Sequence, residues 1–518
     1  MIIINIFYNE KDKAFKLRAN NTDYMMKVCE EGYLAHVYYG NKVPDEDLTY
    51  LLRLDESPFT PATNDRDRAS FMDTLPFEYP CFGVGDYRES AFKIMDANGM
   101  STCDLRYVSH KMYEGKPKLE GLPATFATEE SGCSTLEITM YDKYANIEVV
   151  LIYTAFDKLD VITRSAVITN KSEKPFKITR ALSACVDFDT DKMDMITLNG
   201  SGARERAVER CRLHHGKQLV DSCRGESSHQ NNPFVALCDN NADEDKGEVF
   251  GFNFVYSGNF YAQAEVTQHK KTRFLMGINP LDFEWLLEKG ESFTCPEVVM
   301  VHSDEGIGKM SRTFHDLYRN NLIRGEYKDK RRPILINNWE ATYFNFDTDK
   351  LIDIAKEASK LGIEMLVMDD GWFGHRDSDN SSLGDWFVYE KKLKGGLKYL
   401  VDEVNKLGMK FGIWFEPEMI SPDSELYKAH PDWAIQIKGR PLTLCREQYV
   451  LDYSRKEVRD HVYGMMKKIL DSANIEYIKW DMNRQLTEVG SATLPAERQR
   501  ELWHRYVLGV YDLMDRLT

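Results

Sequence analysis

After Pro333 the sequence settles into a rhythm that few folds accept: short apolar runs alternate with amphipathic helical patterns. "ILINNWEA" leads to "DTDKLIDIAKEASKLG", "IEMLVMDDGW" leads to "GLKYLVDEVNKLG", and "KFGIWFEPE" runs into a long loop. "QYVLDYS" then precedes "KEVRDHVYGMMKKILDS", and "IEYIKWDM" follows. Buried strands joined by helices predict a parallel α/β sheet. In the first helix Leu351, Ile354, Ala358 and Leu361 recur at helical spacing, Asp347 or Thr348 suits the cap, and Gly362 suits the stop. Chemistry in such folds gathers at the C-terminal strand ends.

The first ~320 residues have a different rhythm. "AFKLRANNTDYMMKV", "GYLAHVYYG", "STLEITMYDKYANIEVVLIYTAF", "VITRSAVITN" and "GEVFGFNFVYSG" alternate or are rich in β-branched and aromatic residues. Asn- and Gly-rich punctuation separates them, so a large antiparallel sandwich is expected. A helical pattern, "MSRTFHDLYRNNLI", and a charged stretch, "RGEYKDKRRP", close this half. The expected domains are therefore 1–325 and 326–518. A chain of 518 residues exceeds one ordinary core, which agrees.

The net charge of −16 disfavours nucleic-acid and anionic-membrane partners, which need a basic surface. No run approaches the ~20 apolar residues of a membrane helix, and "MIIINIFYNEKDK" reads as a first strand, without the basic flank of a signal. The ten cysteines are scattered with no CxxC pair, so a reducing cytoplasm, no disulfide framework, no metal site and no cofactor are expected. His375 lacks a partner at metal spacing and reads as a loop residue.

The predicted strand ends carry Trp339 and Glu340; Asp369, Asp370 and Trp372; Trp414, Glu416 and Glu418; Asp452; and Lys479, Trp480 and Asp481. Each alone has a structural explanation as a cap or a packed aromatic. Several strands ending alike in tryptophan plus carboxylate suit a sugar, whose C–H face stacks while its hydroxyls need acceptors. Paired carboxylates also cleave glycosides, one as nucleophile or base and one as acid.

The runs "NNWEATYFNF", "MDDGWFGHRDSDNSSLGDW", "GIWFEPEMISPDSELY", "HPDW", "REQYVLDYSRKEV" and "YIKWDMNR" resemble the α-galactosidases of glycoside hydrolase family 36. "DTLPFEYPCFGVGDYR" and "RGESSHQNNPF" extend the resemblance over the N-terminal half. It implies a β-supersandwich, then a (β/α)8 TIM-type barrel, and retaining hydrolysis of terminal α-1,6-linked galactose from melibiose- or raffinose-type oligosaccharides. It makes Asp481 the nucleophile, with Lys479 beside it keeping the carboxylate ionised and touching the sugar. Asp369 and Asp370 would accept from the 4- and 6-hydroxyls, Trp339 and Trp414 would wall the pocket, and Arg446 and Asn483 would contact ring hydroxyls. Glu416 and Glu418 take structural or outer roles. A homo-tetramer is implied in the full-length form, with Asp55 in the loop "LDESPFTPATNDRDRAS" a further candidate sugar contact.

The chain departs from the family at one point. The Gly-rich segment that carries the family acid/base is not found, so the barrel is expected to be truncated after about its fifth strand, "IEYIKWDM". In "ERQRELWHRYVLGVYDLMDRLT" the residues Trp503, Tyr506, Val507, Val510, Met514 and Leu517 trace one expected helical face. Two alternatives stay open beside hydrolysis: an α-galactosyl transferase of raffinose-synthase type, and a non-catalytic galactoside-binding remnant.

Overall fold

The computed structural model describes residues 5–55 and 72–518. The chain divides into two compact units, Met1–Ile323 and Arg324–Thr518.

The first unit is antiparallel. Its described strands form sheets of ten, six and four strands. The hairpin Cys133–Asp142 with Ile147–Phe156 shows why these residues pair. Leu136, Ile138 and Met140 alternate inward, and Ile138 faces Leu151 across the ladder. Its turn is closed by Asp142 Oδ1, which accepts from Tyr144 N and Ala145 N at 2.8 and 2.9 Å. The helix Gly306–Asn321 sends Met310, Phe314 and Leu317 into the same core as Val249, Val299 and Val301.

The second unit carries a parallel sheet of four strands in the order of the chain: Leu335–Asn337, Met365–Met368, Lys410–Phe415 and Tyr477–Trp480. Helices Thr348–Lys360, Gly396–Lys406 and Lys456–Leu470 lie between them in sequence, and Leu502–Leu517 follows. Asp347 caps the first, accepting from Lys350 N at 3.0 Å, and Gly362 follows its end at φ +80°. Its buried residues include Leu351, Ile352, Ala355 and Ala358, whereas Leu361 is 80% exposed. Gly412 lies in the third strand because a Cβ there would stand 2.8 Å from the Tyr477 ring.

Two expectations are corrected. The segment "QYVLDYS" is not a strand of the parallel sheet: only Tyr449–Val450 is extended, and it pairs antiparallel with Met419–Ile420. Val450 finds burial in that small ladder and Leu451 bridges Ala434 beside it, while Tyr477–Trp480 pairs with the third strand. Asp481 therefore ends the fourth strand, not the fifth. Asp452, read as a strand-end site residue, is instead bound to Ser454 N at 3.1 Å and to the Ser491 hydroxyl, in the turn before the next helix.

The second correction concerns Leu502–Leu517. Its buried residues are Leu502, His504, Tyr506, Val507, Gly509 and Leu513, while Met514 is 37% exposed. Close backbone approach sets this face, since a Cβ at Gly509 would fall 2.0 Å from the Tyr453 carbonyl oxygen.

Candidate active site

Parallel register places the strand ends side by side. Trp414 pairs with Lys479 and Phe415 with Trp480, so the third strand's indole lies beside the carboxylate that ends the fourth. Trp414 Nε1 donates to Asp481 Oδ2 at 3.0 Å. Asn483 Nδ2 donates to the same oxygen at 2.9 Å, and Met482 N to Oδ1 at 3.1 Å. These donors fix an acceptor-only group while leaving it half-buried.

Asp369 ends the second strand and is 3% exposed. Lys479 Nζ donates to its Oδ2 at 2.7 Å, and so does Asn337 Nδ2. Asp369 N donates to Asn338 Oδ1 at 2.8 Å, and Asp370 N to Asp369 Oδ1 at 2.9 Å. Lys479 was expected to serve Asp481; its recorded partner is Asp369. The ammonium goes to the more deeply buried carboxylate, where desolvation makes a counter-charge worth most.

Asp370 receives a two-pronged grip, Arg376 Nε to Oδ1 and Nη2 to Oδ2, both at 2.9 Å. Burial still pushes its carboxyl above the usual range, with Arg376 pulling the other way. The turn that follows needs Gly371, at φ +104°, where a Cβ would stand 3.1 Å from the Phe344 ring.

The aromatic residues divide by exposure. Trp414 is 1% exposed, stacked on Phe373 at 6.0 Å and tilted against Trp386. What it offers the site is the indole N–H on Asp481. Trp339 is half-buried and meets Tyr343 and Phe344 edge-on. Arg446 is exposed, and its Nη1 donates to Asn483 Oδ1 at 3.0 Å. Arg446 and Glu447 stand at φ +51° and +57°, a left-handed pair that costs ordinary side chains about 1–3 kcal/mol each.

Behind this surface two glutamates tie the loops down. Glu416 Oε1 accepts from Asn483 N at 2.6 Å and Gln448 Nε2 at 2.9 Å. Burial, with the Asp481 charge adding to it, pushes Glu416 up to about 7. Glu418 accepts from Trp480 Nε1 at 2.9 Å and from the Tyr506 hydroxyl. Burial raises its carboxyl as well.

The structure thus assembles Asp369, Asp370, Trp414, Lys479, Asp481, Asn483 and Arg446 through direct contacts or chain adjacency. Asp55 belongs to the first unit, where it pairs with Lys271 at 2.8 Å; residues 56–70 of its loop lie outside the described residues. His375 is an exposed loop residue whose N–H donates to Ser382 Oγ at 3.0 Å. Sequence reasoning missed Asn337, Asn338, Arg376, Gln448 and the Tyr506 anchor. The paired asparagines directly before Trp339 were the one local signal available. Among the described residues no three His, Cys, Asp or Glu gather to hold a metal ion.

Family models match both halves: the glycosyl hydrolase family 36 N-terminal domain over residues 32–288, and melibiase over residues 292–518. Alpha-galactosidase AgaA of Geobacillus stearothermophilus is 52% identical over 99% of this chain, which spans 71% of that protein. Alpha-galactosidase Mel36A of Lactobacillus acidophilus is 44% identical over 99% of this chain and 70% of its own length. A crystal structure of a Geobacillus stearothermophilus AgaA variant in complex with raffinose superposes with a TM-score of 0.96 at 52% identity, covering 98% of this chain and 70% of that one. The expectation of a truncated barrel draws no support from matches that run over nearly the whole chain.

Proposed function

The chain belongs to glycosyl hydrolase family 36, and from that premise we propose how its second unit cleaves α-galactosides. It is an α-galactosidase, a retaining glycoside hydrolase that releases terminal α-1,6-linked galactose from melibiose- and raffinose-type oligosaccharides. Its substrates are oligosaccharides of the kind that the relative's raffinose complex contains.

Asp481 is the nucleophile. It attacks the anomeric carbon and displaces the leaving oxygen; water then releases galactose from the galactosyl-aspartate. Trp414 and Asn483 hold the attacking carboxylate in place, each donating to its Oδ2. Asp369 and Asp370 accept from the 4- and 6-hydroxyls, since ionised carboxylates keep acceptor capacity beyond their protein partners. A site built to bond one hydroxyl geometry rejects a sugar that cannot supply it. Lys479 contacts the sugar while neutralising Asp369, Trp339 supplies the stacking face, and Arg446 with Asn483 takes ring hydroxyls. No described residue is assigned as the general acid: Glu416 and Glu418 are 1% and 4% exposed and committed to loop contacts.

The parallel sheet is read as part of a (β/α)8 barrel, and the domains as 1–325 and 326–518. The enzyme acts in the cytoplasm as a homo-tetramer, with Asp55 reaching a sugar in the assembled form. No described helix is long and apolar enough to cross a membrane.

One observation carries the mechanism: Asp481 accepts from two side-chain donors at the end of the same strand whose Lys479 pairs with Asp369. Its test is aryl release from an α-galactoside with a good leaving group, where acid help matters least. Parent protein is expected to release the aryl group and Asp481→Ala is not. Folded parent protein that binds galactose without turnover would favour the binding-remnant reading. Galactosylated acceptors in place of free galactose would favour transfer.

A further inference from the structure

We propose that Glu416 is a positioning residue for the nucleophile: it holds the turn after the fourth strand through the Asn483 amide, so that the Asn483 side chain meets Asp481. This rests on Asp481 as the nucleophile. Glu416 directly follows the third strand and is 1% exposed, and among the described residues it makes no ion pair. Its recorded hydrogen-bond partners are both neutral N–H groups and share one oxygen, Asn483 N at 2.6 Å and Gln448 Nε2 at 2.9 Å. Asn483 then spends its side chain on function. Nδ2 donates to Asp481 Oδ2 at 2.9 Å, and Oδ1 accepts from Arg446 Nη1 at 3.0 Å.

The turn is also held on either side of Asn483, where Asp481 N donates to Phe415 O at 2.8 Å and Arg484 Nη1 to Gln448 O at 2.6 Å, but the Asn483 N–H itself goes to Glu416. Met482 N donates to Asp481 itself, and among the described residues the recorded acceptor of the Asn483 N–H is Glu416. A carboxyl pushed up to about 7 is present in both protonation forms at neutral pH, and either form can use Oε1 as an acceptor. What the site needs from residue 416 is an acceptor at the right reach, not a charge. A glutamine meets that need, while an aspartate, one methylene shorter, does not.

The test compares Glu416→Gln and Glu416→Asp on an aryl α-galactoside, with Asn483→Ala and the double variants. Glu416→Asp is expected to lose kcat by up to about 10²-fold, the scale of a small misplacement of a reacting group, with KM moved less. Glu416→Gln is expected to stay within about threefold of the parent, since the amide oxygen keeps both hydrogen bonds. In the Asn483→Ala background Glu416→Asp should cost less than about twofold, because the route to Asp481 is already cut. If Glu416→Gln loses as much as Glu416→Asp, the residue acts by charge and the proposal fails. Additive losses in the double variant would also overturn it. If Glu416→Asp proves unstable, the Glu416→Gln rates with and without Asn483→Ala still decide. An active Asp481→Ala would instead sink the nucleophile assignment and leave the Glu416–Asn483 coupling standing on its own.

Discussion

Carboxyl groups at the strand ends differ less in burial than in what faces them. Asp369 meets Lys479, Asp370 meets Arg376, and Glu416 meets neutral donors alone. At Glu416 no cation offsets desolvation, and its carboxyl is pushed up to about 7 from an ordinary 4.5. A folded-state value above the unfolded one means the native state holds the extra proton between those limits. This contribution to stability is present in full below about pH 4.5 and is lost as the pH rises through about 7. The loss is on the order of 3 kcal/mol, from 1.36 kcal/mol per pH unit. An amide does not titrate. Glu416→Gln is thus expected to raise the urea midpoint relative to the parent at pH 8 and to show no such gain at pH 4. An equal gain at both values would mean that Glu416 is not the titrating group.

At the scale of elements, what could be read from the chain was what local pattern alone decides. The strands ending at Asn337, Met368, Phe415 and Trp480 were visible because each is a short apolar run before a polar residue. Asp347 and Gly362 framed their helix from cap chemistry alone. "QYVLDYS" carries the same local signal but lies antiparallel against Met419–Ile420, and nothing within the segment distinguishes that partner. The Leu502–Leu517 face was misjudged because period counting weighs apolar residues, whereas a glycine and a tyrosine hydroxyl decide the packing. Arg376 and Gln448 were unreadable for a similar reason: their partners are set by loops. Tyr506 also gives this helix a testable anchor. Its hydroxyl donates to Glu418, which is 4% exposed and also bound by Trp480. Tyr506→Phe leaves a buried oxygen short of a donor, at a cost of about 1–3 kcal/mol. Thermal unfolding should show this as a lower midpoint, and Glu418→Gln in the same background should recover part of it. A Tyr506→Phe protein as stable as the parent would show that the bond does not anchor the helix.

The whole molecule carries its own reporters, because two residue types are segregated between its units. Seven of the eight tryptophans (Trp339, Trp372, Trp386, Trp414, Trp433, Trp480 and Trp503) lie beyond Arg324, and only Trp285 lies before it. The buried thiols divide the other way: Cys29, Cys81, Cys103, Cys133, Cys185, Cys238 and Cys295 all belong to the first unit. Cys211, Cys223 and Cys445 are exposed. Burial raises Cys133 and Cys238 to about 11 each, and so keeps them as unreactive thiols at neutral pH. A thiol reagent should thus modify three cysteines in the native chain and ten in strong denaturant, with the added seven reporting on the antiparallel unit. Tryptophan fluorescence reports on the parallel unit. Each unit has its own core, and the parallel one is built from the shorter stretch of chain, Arg324–Thr518 against Met1–Ile323. A smaller unit buries a smaller share of its surface on folding. The fluorescence transition is therefore expected at lower urea than the release of the seven thiols, a departure from two-state unfolding. Coincident curves would show that the two cores unfold as one cooperative body.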